Sequence, residues 1–156
     1  MLAEILLIVA LALVASAGVF TWIRRARSCA RILGVPRGEP ERSFSGGVMC
    51  KHLITSGSVA KLELFDWGVR VGGTVISKWV VPTWEARYED LAIAELVTLP
   101  WSRIAVWFQL RGEPDGMAFL SQYHRDILRA LESHEVPVNR SVVRVRRVAE
   151  LYEAPK

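Results

Sequence analysis

ILLIVALALVASAGVFTWI, residues 5–23, contains no charged side chain, and its reading decides how the rest of the chain is arranged. At 1.5 Å per residue a helix of that length reaches ~28 Å, close to the ~30 Å hydrocarbon core of a bilayer. Eleven of its residues are Leu, Ile, Val or Phe, each favouring insertion by ~0.3–0.6 kcal/mol, or roughly 3–7 kcal/mol together. Residues 1–23 therefore read as a transmembrane anchor. A competing reading is a cleaved signal peptide, since Ala15-Ser16-Ala17 before Gly18 is a small-x-small pattern after an apolar run. Against cleavage, Glu4 is the only charged side chain ahead of the run, and the apolar stretch continues to Ile23.

Arg24, Arg25, Arg27 and Arg31 follow at once. Positive charge gathers on the cytoplasmic side of a span, so the C-terminal part is expected inside, with the short N-terminus out. Trp22 suits the interfacial aromatic position, and the four Arg suit contact with an anionic lipid surface, at about 1 kcal/mol each. Net charge is +4. Positive charge concentrates in residues 24–42 and 137–156, whereas residues 43–136 carry nine Lys/Arg against eleven Asp/Glu. A nucleic-acid binder is expected to carry positive charge on its folded face, so this distribution points away from nucleic acid.

Cys29 and Cys50 form no CxxC and have no His at ligand spacing. In a cytosolic domain both should be reduced, and Cys29 is placed where S-acylation is chemically feasible. An exported domain could instead join them as a disulfide, which makes their state a test of topology.

Residues 24–45 read as a basic linker in which Gly34, Pro36, Gly38 and Pro40 break any apolar period. Strands are expected over Val48–Thr55, over Ala60–Leu64 by strict alternation, and over Val69–Val71 as partner in a hairpin turning at Asp66-Trp67-Gly68. Val75–Val81, apolar and β-branched, reads as another strand ended by Pro82, with Trp79 filling a core. Residues 84–88 are ambiguous. A brief helical turn at Tyr88–Leu91 is expected next, then strands over Ile93–Leu99 and Ile104–Leu110, the latter including Trp107. After Pro114 the period lengthens: Asp115 could cap a helix whose stripe is Met117, Leu120, Ile127, Leu128 and Leu131, stopped by Pro137. The tail, residues 139–156, could be an added strand, a basic helix or disorder. The expected class is α+β: an N-terminal transmembrane helix, then a small, strongly bent antiparallel sheet or barrel capped by one C-terminal amphipathic helix.

That order, with the Asp66-Trp67-Gly68-Val69-Arg70 turn, the Val81-Pro82 approach to Trp84, the Tyr88-Glu89-Asp90-Leu91 segment and the ending Leu131-Glu132-Ser133-His134-Glu135-Val136-Pro137, resembles the pleckstrin-homology-like superfold in its small bacterial form. The resemblance covers residues 46–138. It implies a recognition module without chemistry, directed at a headgroup or a protein segment. Headgroup-binding members converge cations across the first hairpin, and here Lys61 and Arg70 match two such roles; Val71 and Gly72 follow Arg70 where further basic residues would be needed, and Glu63 and Asp66 intervene. His52, His124 and His134 are scattered, Ser45 lacks a base partner and a G-x-S-x-G context, and no glycine-rich phosphate loop occurs. The expectation is no enzyme, no cofactor and no metal, but a protein-interaction module at the cytoplasmic membrane face with an unidentified protein partner. Binding of a lipid or apolar ligand, and an exported domain released after Ala17, are the alternatives.

Overall fold

The computed structural model describes residues 2–36, 38–51, 53–55, 57–78 and 80–153. His52 and Trp79, both singled out above, lie outside them. The apolar segment is one helix, α1 (Leu2–Ser28), longer than the stretch 5–23 because Arg24, Arg25 and Arg27 continue it. Ser16 and Thr21 turn their hydroxyls back onto the Ala12 and Ala17 carbonyls, each at 2.7 Å. The helix thus satisfies its own polar side chains without water. No residue of 8–25 is buried by the rest of the chain.

Nine strands follow among the described residues: β1 (Arg42–Cys50), β2 (Leu53–Ile54), β3 (Ala60–Leu64), β4 (Gly68–Gly73), β5 (Trp84–Arg87), β6 (Leu91–Thr98), β7 (Ile104–Leu110), β8 (Gly116–Leu120) and β9 (Val138–Arg144). A second helix, α2 (His124–Glu132), precedes β9. They form one mixed sheet in the order β5-β4-β3-β1-β8-β7-β6-β9, with β2 paired to β1. Only β9, parallel to β6, departs from antiparallel pairing between the named strands. The sheet does not close into a barrel; β5 and β9 remain its two edges.

The bend expected of the sheet is made by β1. Its first half, Arg42–Gly46, pairs with β3, and Gly47–Met49 pairs with β8. At Gly46 the approach of the neighbouring strand is so close that a Cβ would stand 2.3 Å from the Leu120 carbonyl oxygen. Glycine is the residue that allows two backbones to meet there. The sheet halves and α2 enclose the main core, built on Leu62, Leu64, Val69, Trp84, Phe108, Phe119, Ile127 and Leu131. A second apolar cluster, Met49, Leu99, Trp107 and Ala118 among its members, lies under Val148, Leu151 and Tyr152 of the tail.

Four expectations are corrected. Residues 42–45, read as linker, are strand. The segment Val75–Val81 is not a strand but a hydrogen-bonded turn. Residues 116–120 are strand β8 rather than the start of a helix, and α2 begins only at His124, with Tyr123 and not Asp115 ahead of its first turn. The tail adds a strand after the helix, so α2 is not the final element.

Candidate functional site

The place where α1 meets the sheet concentrates the chain's polar organisation. Just past the helix, Cys29 is disulfide-bonded to Cys50 at the end of β1. This corrects the expectation of two free thiols. Two residues later the backbone joins the edge of β5: Arg31 N–H donates to the Thr83 carbonyl at 3.0 Å, and Glu85 N–H donates to the Arg31 carbonyl at 2.8 Å. Leu33 N–H then donates to Glu85 Oε2 at 2.8 Å.

Glu85 is the pivot of this junction, with only 4% of the residue exposed. A carboxylate so buried needs compensating partners. It has the Leu33 amide and Arg70, whose Nε stands 3.6 Å from Glu85 Oε1. Arg70 Nη1 also donates to Glu63 Oε2 at 3.4 Å. Arg31 reaches the Glu85 carbonyl at 3.0 Å and Asp90 at 3.3 Å, with Glu113 at 3.9 Å.

The candidate headgroup residues are therefore placed differently from one another. Lys61 is exposed and lies opposite Gly72 in the register, whereas Arg70 lies opposite Glu63 and is held between two carboxylates. In the β3–β4 register the two stand diagonally to one another. Arg31 is drawn into the domain, while Trp22, Arg24, Arg25 and Arg27 stay exposed along α1. Sequence reading missed Glu85, which lay in a segment of ambiguous character. Only its burial between Trp84 and Ala86 reveals it.

A separate open cleft of about 560 Å³ lies between the bend of β1 and the start of α2, with Ser45, Arg103, Tyr123 and His124 in its walls. Two of its polar side chains, Ser121 and His124, are engaged locally. Ser121 Oγ donates to the Ser45 carbonyl at 2.9 Å, and His124 Nδ1 faces the Ser121 carbonyl at 3.2 Å. His134 Nε2 faces Glu41 at 3.0 Å and its ring stacks on Tyr88, 4.2 Å between centroids. Burial, with Glu41 and Asp66 adding to it, pushes the Tyr88 phenol above its ordinary range. Among the described residues no group of three or more His, Cys, Asp or Glu is placed to hold a metal ion. Neither protein-family models nor curated proteins gave a match to this chain.

Proposed function

We propose that this protein is a membrane-anchored, non-catalytic interaction module of the pleckstrin-homology-like kind, recruiting a protein partner at the cytoplasmic face. The observation that carries the reading is α1, an apolar helix long enough to cross a bilayer, none of whose residues from 8 to 25 is buried by the domain. A helix that is apolar and unburied in its own protein has the lipid as its remaining apolar surrounding. Arg24, Arg25 and Arg27 at its C-terminal end support the inward orientation. The bent sheet with α2 against it supports the fold assignment, and the absorption of Arg70 into carboxylate pairs weighs against specific headgroup recognition at that hairpin.

One observation favours a second placement of the same module. The Cys29–Cys50 disulfide suits an oxidising compartment, and it would put the domain on the outer side or release it after Ala17. The deciding experiment uses the full chain with a reporter fused after Lys156. Cytoplasmic reporter activity, an intact N-terminus and retention in membranes through alkaline extraction support the first placement. Exported activity with a blocked, disulfide-bonded pair overturns it, and a mature chain beginning at Gly18 removes the anchor altogether. For the recruiting role, mild cross-linking of the anchored chain should give one discrete protein adduct; its absence argues against recruitment.

A further inference from the structure

The turn joining β4 to β5 is inside out. Val75 is 85% exposed and Ile76 92%, while the hydroxyls of the same turn point into it. Thr74 Oγ1 and Ser77 Oγ meet at 2.8 Å, Thr74 N–H donates to Ser77 Oγ at 2.9 Å, and Ser77 Oγ also donates to the Val59 carbonyl. Val80 and Val81 N–H both donate to the Ser77 carbonyl at 2.9 Å. Lys78 backbone packs so close to Gly73 that a Cβ there would meet it at 2.6 Å. The apolar tip is thus held outward by a fixed network, not left there by a loose loop. Single exposed apolar residues are ordinary, but two adjacent large ones at the tip of a tied turn mark a surface that meets something apolar.

Its position says what. Arg31, three residues past the end of α1, pairs with Trp84 in parallel. The chain leaving the membrane and strand β5 therefore run the same way. The turn that precedes β5 lies on the side from which α1 enters, and β4, antiparallel to β5, delivers Gly73 to that side too. Ile76 precedes Thr83 by seven positions, so it lies within about 25 Å of the residue bonded to Arg31. We infer that the 74–81 turn dips Val75 and Ile76 into the interface of the same bilayer that α1 crosses, giving the domain a second, non-covalent foothold. This rests on the anchored reading above and adds to it a fixed orientation of the domain on lipid. Lys suits such a boundary, and the turn's sequence supplies Lys78.

The test uses the full chain in phospholipid vesicles, with benzoylphenylalanine introduced by Ile76→benzoylphenylalanine and, separately, Glu135→benzoylphenylalanine. Residue 135 follows His134, which stacks on Tyr88 past the far end of β5. Flotation with the vesicles first establishes that α1 is inserted; failure there overturns the anchored reading itself. In floated protein, irradiation is expected to give a lipid adduct at 76 at least fivefold above that at 135. Adding Val75→Asp to the 76 probe should cut that adduct severalfold. Equal lipid labelling at both positions, no lipid labelling at 76, a protein adduct at 76, or indifference to Val75→Asp overturns the inference.

Discussion

Glu85 shows what a single side chain can hold together, since its carboxylate joins the segment leaving α1 to β4 and β5. Removing one partner of a buried pair leaves the other uncompensated, at a cost of about 3 kcal/mol. Glu85→Ala is accordingly expected to lower the midpoint of urea unfolding, with Arg70→Ala doing the same and the double variant losing less than the two added together. Two tyrosines make a contrasting pair. Burial raises the phenol of Tyr88 and that of Tyr152, with a further push on Tyr152 from Asp115. A raised folded-state value means that the contribution is complete below about pH 10, the unfolded tyrosine value, and fades as pH climbs beyond it. Stability should therefore fall above about pH 10, less steeply in each Tyr→Phe variant. At neutral pH the two differ: Tyr88 donates to the Phe65 carbonyl at 2.8 Å, whereas the buried Tyr152 hydroxyl has no hydrogen-bond partner among the described residues. Tyr88→Phe should cost about 1 kcal/mol and Tyr152→Phe nothing. None of these partners was visible in the sequence, because Glu85 and Arg70 are fifteen positions apart and meet only through strand register.

At the scale of elements, legibility followed environment. β3 was readable because its half-buried positions leave an alternation, as Ala60, Leu62 and Leu64 do around Lys61 and Glu63. β8 was not, because all five of its residues are buried, its two sides facing two different apolar clusters. Without alternation, Met117 and Leu120 matched helical spacing instead. The 74–81 turn failed in the opposite sense: β-branched composition imitates a strand, and the decisive Thr74 and Ser77 hydrogen bonds depend on Val59, distant in sequence. β9 depends wholly on a parallel partner some 40 positions earlier, for which no local pattern exists. The bend of β1 gives the test at this scale. Gly46→Ala places a methyl against backbone and the Phe119 ring, and overpacking of that kind costs about 1–3 kcal/mol, read as a lower thermal midpoint.

For the whole molecule, the tie between Cys29 and Cys50 closes a short loop across the junction of α1 and the sheet, a sequence separation of 21. Loops of that size contribute about 3 kcal/mol by restricting the unfolded chain. Cys50→Ser, or reduction of the native chain, should lower unfolding stability by about that amount, read as a lower midpoint of urea unfolding. The two borders of the sheet are also unlike. On one side Arg31 covers part of β5, while on the other β9 leaves Val142 and Val143 exposed in a segment that carries Arg140 and Arg144. On the anchored placement proposed above, copies confined to one plane of lipid share an orientation and collide flank to flank, which is the encounter that lets strands polymerise. Arg144 on that flank acts as a fender, Arg140 being paired with Glu132, since like charges approaching at ordinary ionic strength repel over about 10 Å and at about 1 M salt over only 3 Å. Crowded arrays of this protein should stay dispersed in dilute buffer and begin to string together when the counterion cloud thickens.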